Sequence, residues 1–403
     1  MSKINKLKII NDPVHGFIKI PHEILFDVIE HPYFQRLRRI SQTGLLNLIF
    51  PGATHTRFHH AIGAMHLMFK ALETLKLKGV KINKEEEKSA MLAILLHDIG
   101  HGPFSHALES TLMENWHHER LSLLLMNRLN EEYSGELGMA IEMFKGQYSR
   151  QFFNQLVSSQ LDVDRLDYLK RDSFFTGVSE GNINAERIIS MMNVADGELV
   201  VDAKGIYSIE NYLTARMLMY WQVYYHKTAS LAESILVKIL GRAKALIADG
   251  MPLNASENLK YFLYKTDFSS AQEEDIDRFT ALDDTDVLQA IKDWQYADDL
   301  MLSYYCRAII RRELPQTRIS SSPFPEEVVA AEVARVNQRF GVDYGHFWVD
   351  TIQRDLLPYD AEKQPIYLLE RNRKKYRLEQ SESSILSESL QKSTTKYILA
   401  YPR

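Results

Sequence analysis

The feature that most constrains the fold is an apolar helical run that ends on two ligand-type side chains. Residues 90–96 are all apolar. His97 and Asp98 follow them directly, and Gly100 then interrupts the helix. An imidazole and a carboxylate are costly to bury without a partner, so this placement is explained if a cation lies between them. Adjacent helical residues diverge by about 100°, so both reach one ion without completing its shell. The other ligands must come from elsewhere in the fold.

Histidines are concentrated in the same part of the chain. Nine of the fourteen lie between positions 55 and 118. Imidazole is a common metal ligand and the usual acid or base near neutral pH, so both roles are candidates, with core or surface histidine as the alternative. His55, His59 and His117 are left open between these roles. The histidines expected to be structural or surface residues are His15, His22, His31, His66, His226 and His346.

Two further segments supply candidate ligands. His60 lies at the start of a predicted helix over 58–78, and Asp164 lies in a segment rich in aspartate. Asp164, Tyr168 and Asp172 are four residues apart, which places them on one helix face. A set of two imidazoles and two carboxylates suits Mn, Fe, Ni, Co or Zn. The predicted metal ligands are His60, His97, Asp98 and Asp164.

The hydrophobic pattern predicts a mainly α fold. Short β-branched runs around a turn predict a small hairpin over residues 8–20. Helical spacing recurs in windows at 58–78, 86–98, 150–173, 184–194, 208–248, 285–313 and 325–339. Strands are predicted at 345–350 and 364–369, and the tail from Gln380 is expected to be loosely ordered. We therefore expect a helical catalytic domain over 1–250 and a smaller α/β region over 251–403.

Composition narrows the class of protein. Apolar residues make up 45% and charged residues 25%, which is typical of a globular domain. One cysteine, Cys306, and the absence of a signal-like N-terminal segment predict a cytoplasmic protein. No apolar stretch approaches the ~20 residues that span a bilayer, so no membrane association is expected. The net charge of −5 argues against nucleic acid as a partner.

Seven segments together resemble the HD-domain deoxynucleoside triphosphate triphosphohydrolases. In particular, the chain resembles the catalytic domain of the sterile-alpha-motif and HD-domain dNTPases and their shorter bacterial relatives. The landmarks span residues 10 to about 230, and the C-terminal third matches less distinctly. The segments are 10–16, 34–38, 50–58, 97–106, 116–119, 161–172 and 224–227.

The resemblance implies an HD-type helical core and assigns catalytic roles. The same four residues hold the metal, and Mg²⁺ accompanies the nucleotide. His101, His106 and His118 surround the α-phosphate, with His106 as the proton donor to the departing oxygen. Glu109 would pair with His106 and raise its pKa, although the family often has aspartate at this position.

The resemblance also assigns substrate contacts. Arginine suits phosphate because its guanidinium forks onto two oxygens. Tyr168 would crowd the 2′ carbon, and Gln42 and Asp172 would hold the 3′-hydroxyl. We also expect Arg216, Tyr220, Tyr224 and Lys227 to share one face of one helix, with core packing as the alternative for the aromatic residues. The implied substrate-binding residues are Gln42, Arg57, Arg165, Tyr168, Asp172, Arg216 and Tyr224.

Regulation is implied by the same resemblance. In such enzymes nucleotides bind between subunits, so a homo-oligomer, dimer or tetramer, is expected. Glu30 replaces a base-reading aspartate, which argues against activation that is specific for guanine. The C-terminal region would serve oligomerisation or regulation. The residues that match effector contacts are Lys8, Asn11, Arg38 and Lys227.

The sequence thus favours hydrolysis of dNTPs to deoxynucleosides and triphosphate, with dGTP or another nucleotide as activator. Two alternatives stay open. One is a different HD nucleotide phosphatase or phosphodiesterase, which would use the same metal. The other is a nucleotide-sensing assembly protein without turnover, against which the intact ligand set argues.

Overall fold

The computed structural model describes residues 8–104, 109, 111–113, 116–267, 272–382, 384 and 388–403. The fold over these residues is mainly helical with small sheets, as predicted. No helix in the described ranges combines the length and the hydropathy needed to cross a membrane. Up to residue 250 the helices are α1 (Glu23–Glu30), α2 (Pro32–Gln35), α3 (Arg57–Leu77), α4 (Lys84–Leu96), α5 (His118–Glu132), α6 (Gly138–Phe144), α7 (Phe152–Val157), α8 (Val163–Thr176), α9 (Ala185–Met191), α10 (Ile206–Met219) and α11 (Lys227–Ala248).

Further helices and several short strands complete the described chain. The later helices are α12 (Glu257–Tyr264), α13 (Glu273–Thr280), α14 (Asp284–Trp294), α15 (Leu300–Ile310), α16 (Glu326–Phe340) and α17 (Glu388–Gln391). The strands are β1 (Lys8–Asp12), β2 (Gly16–Ile20), β3 (Met192–Ala195), β4 (Glu198–Asp202), β5 (Gln316–Ser320), β6 (Asp350–Leu356), β7 (Tyr367–Leu369), β8 (Lys375–Arg377) and β9 (Thr394–Tyr401).

The strands form three sheets within the described residues. β1 and β2 pair as an antiparallel hairpin, which confirms that prediction. The second sheet has the order β3-β4-β7-β8, with β4 and β7 parallel, and the third has the order β5-β9-β6, all antiparallel. The second sheet therefore joins strands from both sides of residue 250. The proposed division of the chain at that residue stays a prediction.

Helices α3, α4 and α8 form the core around the candidate site. α4 is capped by Asn83, whose side chain accepts from the backbone N–H of Glu86, and its second half is fully buried. α3 packs on both α4 and α8. At Gly63 of α3, an added Cβ would lie 2.1 Å from side-chain atoms of both Asp167 and Arg171. The close approach of α3 to α8 thus requires glycine at this position.

Several predicted helical windows are interrupted. Window 150–173 contains α7 and α8, because the side chain of Asp162 accepts from the N–H of Arg165 and starts a new helix there. Window 184–194 ends in β3, and window 285–313 divides into α14 and α15. Window 208–248 is broken by a π-helical turn at Tyr220–Tyr224, after which α11 begins. Those single-helix predictions were wrong because local capping and π geometry leave little trace in the periodicity.

Two C-terminal predictions also need correction. The strand expected at 345–350 starts only at Asp350, because Gly345–Phe347 form a 3₁₀ turn. The tail that was expected to be loosely ordered contains β9, the central strand of the third sheet. The prediction relied on the polar residues from Gln380 onward and overlooked the apolar second half of β9.

The region after residue 250 also supports the loop that follows α4, through contacts made by Arg36. The guanidinium of Arg36 is fully buried and donates to the carbonyl oxygens of Ile99 (2.9 Å) and Leu282 (3.3 Å). Burial lowers the pKa of Arg36 to about 9. At the start of α14, Asp284 accepts from the backbone N–H of Ser41 at 2.8 Å. The two parts of the chain are therefore joined by buried polar contacts.

We expect Gly63→Ala to lower the free energy of unfolding by about 1–3 kcal/mol, since the new methyl group must displace buried side chains. Urea titration followed by circular dichroism measures the change. Gly241→Ala in α11 is the matched control, because nothing lies within 4 Å of a Cβ added there. That variant should be neutral or up to about 1 kcal/mol more stable. Equal effects of the two substitutions would contradict the close-approach argument.

Candidate active site

The four predicted metal ligands converge at one point. His60 lies in the first turn of α3, His97 is the C-cap residue of α4 with Asp98 next to it, and Asp164 lies in the first turn of α8. The Nε2 atoms of His60 and His97 lie 3.1 and 3.5 Å from Asp164 Oδ1. Asp98 oxygens lie 3.3 Å from His97 Nε2 and 3.9 Å from His60 Nε2. Three separate stretches of chain thus supply one cluster of donor atoms.

The donor atoms fit a divalent cation. The Nδ1 atom of His60 faces Asp167 Oδ2 at 2.8 Å, and that of His97 faces the carbonyl oxygen of Ile94 at 2.7 Å. Both partners only accept, so each Nδ1 carries the proton and each neutral ring presents a lone pair at Nε2. These two Nε2 atoms are buried and make no hydrogen bond. One ligand atom each from His60, His97 and Asp164 all lie within 4.8 Å of one another.

The carboxylates make the centre attractive to positive charge. Burial acts to lower the pKa of His60, but the nearby carboxylates of Asp164 and Asp167 raise it to about 10. Burial likewise opposes ionisation of Asp98, yet His97, His101 and Arg57 hold the pKa of Asp98 well below its usual range. A proton and a metal ion therefore compete for the same negatively charged cluster of ligand atoms.

Ser122 of α5 fixes the turn that carries these groups. Its hydroxyl donates to the carbonyl oxygen of His97 at 2.8 Å and accepts from the N–H of Gly100 at 2.9 Å. A Cβ at Gly100 would lie 2.1 Å from the backbone nitrogen of Ser122. Gly100 is therefore required for the close contact between the turn and α5.

A second cluster adjoins the first and contains three predicted catalytic residues. The rings of His101 and His118 stack with centroids 4.0 Å apart. His101 Nε2 lies 3.3 Å from Asp98 Oδ1, and Glu109 Oε1 lies 3.3 Å from His118 Nδ1. Burial, with a further contribution from Arg57, holds the pKa of His101 well below its usual range, so this imidazole is neutral.

The predicted proton donor, His106, lies outside the described residues. Its pairing with Glu109 therefore stays a prediction. Among the described residues, Glu109 contacts His118, and His117 Nδ1 lies 4.0 Å from the same carboxylate. The side chain of His117 is 80% exposed, which makes it a surface residue.

The three predicted phosphate arginines differ in their contacts. Arg57 donates to Asp98 at 2.6 Å, and Arg165 donates to Asp162 at 2.6 Å. Arg216 of α10 is buried, and its Nε and Nη1 atoms make no hydrogen bond. Buried guanidinium donors without partners are costly, which makes Arg216 the arginine best suited to receive an anion.

The predicted sugar contacts lie on the α8 side. Asp172 is buried and accepts from Tyr224 Oη and from His55 Nε2, both at 2.6 Å. The centroid of the Tyr168 ring lies 6.5 Å from that of His60 and 6.1 Å from that of Tyr224, so this ring connects the metal cluster to Tyr224. Burial raises the pKa of Tyr224 well above its usual range, so it donates its proton to Asp172. His55, left open by the sequence, orients this carboxylate.

Other predicted residues are placed as follows. Gln42 bonds through its backbone N–H to the carbonyl of His55, and its Oε1 is buried without a hydrogen bond. His59 accepts from the backbone N–H of Thr56 and completes the cap of α3, which is a structural role. The prediction that Lys227 shares one helix with Arg216 was wrong, because the π-helical turn and residues 225–226 separate them.

Three of the four predicted effector residues lie on the hairpin and the segment after α2, and the fourth, Lys227, begins α11. The ammonium of Lys8 lies 3.0 Å from the centroid of the Phe26 ring, and Asn11 is exposed. Arg38 is exposed, with its guanidinium 3.5 Å from the centroid of the Phe58 ring. Their role as effector contacts stays a prediction.

Sequence reasoning missed a buried ionic group behind the metal cluster. Asp167 and Arg171 of α8 pair with each other, Arg171 also pairs with Asp12, and His15 contacts Asp167 at 2.7 Å. His15 had been expected to be a structural or surface residue, and the structure buries it against Asp167. The three-residue step from Asp164 to Asp167 was a visible signal, whereas the contacts with the hairpin join residues more than 150 positions apart.

The comparisons with known proteins agree with this geometry. The HD-domain profile matches residues 57–172, and the profile of the HD-associated region matches residues 183–257. A crystal structure of a phosphohydrolase from Bacteroides thetaiotaomicron has a TM-score of 0.94 and 44% identity, covering 99% of this chain and 100% of that chain. The protein YwfO of Bacillus subtilis is 32% identical over 414 residues, or 100% of this chain and 93% of that protein. The chain belongs to the HD-domain phosphohydrolases.

HD domains bind a divalent metal, which agrees with the donor set described above. A deoxynucleoside triphosphate triphosphohydrolase, the SAMHD1 homolog of Dictyostelium discoideum, is 34% identical over 248 residues. That similarity covers 57% of this HD-domain chain and 48% of the relative, so the chain spans about half of the relative's length.

We expect Mn²⁺ to stabilise the metal-free protein through this centre. At a concentration 100 times the dissociation constant, the gain is about 2.7 kcal/mol, seen as a rise in melting temperature. In Asp164→Asn that rise should shrink strongly, because a charged ligand is lost. His117→Ala, at the exposed neighbouring histidine, should keep the full rise. An unchanged rise in Asp164→Asn would place the metal elsewhere.

Proposed function

We propose that this HD-domain phosphohydrolase hydrolyses deoxynucleoside triphosphates to deoxynucleosides and triphosphate. One observation carries the proposal most directly: the buried donors of Arg216 lie near Tyr168, which itself contacts the metal-ligand His60. A phosphate chain and a sugar bound at these groups would place the scissile bond beside the metal cluster. The similarity to a named dNTP triphosphohydrolase supports the same substrate class.

The arginines around the metal cluster carry charges that suit a triphosphate. The chain as a whole is acidic, so an anion must be held by local cations. The Nε and Nη1 donors of Arg216 make no hydrogen bond within the described part of the chain. Arg165 keeps its Nε free of hydrogen bonds, and Arg57 is held at the metal cluster by Asp98. We assign the three arginines to the phosphates.

The proposed reaction is an attack of water on the α-phosphorus, with departure of the 5′-oxygen. His60, His97, Asp98 and Asp164 would hold a divalent cation, which supplies Lewis-acid stabilisation of the phosphoryl charge. We assign proton donation to the leaving oxygen to His106.

The paired histidines would prepare the site for this transfer. His101 is neutral and stacked on His118, so its ring would lie beside the phosphate without adding charge. Glu109 accepts from His118 Nδ1 and fixes the orientation of that ring. Together with His106, His101 and His118 would hold the α-phosphate in line with the departing oxygen.

The α8 side supports selection of the sugar. Asp172 uses two of its acceptor positions on Tyr224 and His55, which leaves positions for a 3′-hydroxyl. The free Oε1 of Gln42 is a second acceptor. The ring of Tyr168 would leave little room for a 2′-hydroxyl, which favours deoxyribose.

Regulation by a second nucleotide is part of the proposal. Lys8, Asn11, Arg38 and Lys227 are its proposed contacts, and a dimer or tetramer would bring such contacts together between subunits. We propose Mn, Fe, Ni, Co or Zn as the resident metal, with Mg²⁺ accompanying the nucleotide.

Product analysis tests the reaction. With Mn²⁺ and each dNTP, with and without a second nucleotide, ion-exchange chromatography should detect triphosphate and deoxynucleoside in equal amounts. Ribonucleotides should react more slowly, because Tyr168 crowds the 2′ position. Orthophosphate as the product would instead indicate a different HD phosphatase. Nucleotide binding without any product would indicate a sensing protein.

Arg216→Met tests the phosphate contact separately from stability. We expect kcat/KM to fall about 10- to 100-fold, which corresponds to about 1.4–2.7 kcal/mol for a lost charge-assisted hydrogen bond. The melting temperature should stay the same or rise, because buried donors without partners are removed. Arg187→Met, at an exposed arginine, is the control and should keep full activity. A large loss of stability in Arg216→Met would indicate a structural role instead.

A further inference from the structure

Asp167 is a buried carboxylate whose acceptor positions are all occupied. Its side chain is fully buried in α8. Oδ1 accepts from His15 Nε2 at 2.7 Å and from Arg171 Nη2 at 2.9 Å. Oδ2 accepts from His60 Nδ1 and from Arg171 Nε, both at 2.8 Å. Two acceptors on each oxygen match the four lone-pair positions of an ionised carboxylate.

The contact with His60 decides which nitrogen faces the metal cluster. Because an ionised carboxylate only accepts, His60 Nδ1 must carry the proton in this contact. The neutral ring then has its lone pair on Nε2, which lies 3.1 Å from Asp164. A carboxylate behind a ligating imidazole also fixes the ring orientation and raises its basicity.

The charge of Asp167 is itself held in place from outside α8. Arg171 pairs with the Asp167 carboxylate through Nε and Nη2 and balances the negative charge in this buried position. Arg171 is fixed in turn by Asp12 at 2.8 Å, and Asp12 and His15 belong to the β1–β2 hairpin and its turn. Gly63 leaves room for this group between α3 and α8.

We propose that Asp167 is a positioning residue that sets the tautomer and the metal affinity of His60, and that the hairpin holds it in place through His15 and through Asp12–Arg171. This inference rests on the proposed role of His60 as a metal ligand. It gives the hairpin a function inside the subunit: residues 12 and 15 support the metal centre from behind.

Asp167→Asn is the decisive substitution. An amide offers acceptor positions on one atom only, and in either orientation its NH₂ must face one Arg171 N–H and one imidazole, that of His15 or that of His60. The correct tautomer of His60 is then no longer enforced. We expect the affinity of the full chain for Mn²⁺, measured from free Mn²⁺ by electron paramagnetic resonance, to fall about 10- to 100-fold.

A matched control separates positioning from general destabilisation. Asp275 of α13 is also fully buried and accepts from Lys265 and Tyr261. Asp275→Asn should lower the melting temperature of the metal-free protein and leave Mn²⁺ affinity unchanged. If both variants lose Mn²⁺ affinity in proportion to their melting temperatures, the positioning role is overturned.

His60→Ala distinguishes this inference from the proposed function. Wild-type Mn²⁺ affinity in His60→Ala would refute the metal centre itself. Lost affinity in His60→Ala with wild-type affinity in Asp167→Asn would refute only the role of Asp167.

A measurement on the wild-type chain avoids dependence on the folding of a variant. Long-range ¹H–¹⁵N correlation spectra of the Zn²⁺-loaded protein report the protonated nitrogen of His60. A proton on Nδ1 that exchanges slowly with water supports the inference. A metal-bound Nδ1, or an Nδ1 proton that exchanges freely, overturns it.

Discussion

The structure around the candidate site depends on how buried negative charge is balanced. Asp98, Asp164 and Asp167 lie within one helical core, where unbalanced carboxylates would be prohibitively costly. Arg57 and Arg171 neutralise part of this charge through direct ion pairs. The remaining charge faces two imidazole lone pairs, and a divalent cation satisfies both kinds of donor at once. Helix spacing, the glycine at position 63 and the turn after α4 are all compatible with the need to balance this buried negative charge.

The sequence predicted much of this arrangement because ligand chemistry is local. The run of apolar residues before His97 and the helical spacing of Asp164, Tyr168 and Asp172 are visible without any structure. The N-terminal hairpin is equally visible, because turn residues and β-branched runs have short-range signatures.

What the sequence could not predict depends on distant partners. Arg171 could be an exposed helical arginine until the fold brings Asp12 to it. The turn at Tyr220–Tyr224 is apolar and aromatic like a regular helix, so nothing in its spacing marks the break before Lys227. The contact of Glu109 with His118, nine positions further along the chain, was also not predicted.

The C-terminal region contributes to the site in a way that its weak similarity pattern does not suggest. The buried guanidinium of Arg36 donates to one carbonyl in the loop after α4 and to one in the segment before α14. The loop that carries His101 is thus supported by residues well beyond the matched HD profile. Because residues beyond the HD profile support the site, similarity over the whole chain, as with the Bacteroides structure, is stronger evidence for a shared site than a match to the HD motif alone.

The order of strands in the third sheet constrains how the chain is made. β5 and β6 each pair with β9 and leave no pairing between themselves. During synthesis both strands therefore emerge from the ribosome without a partner strand until β9, which is translated after them, is available. Until then their unpaired edges are open to other chains, so the nascent protein passes through a period of vulnerability to aggregation that its finished form does not share.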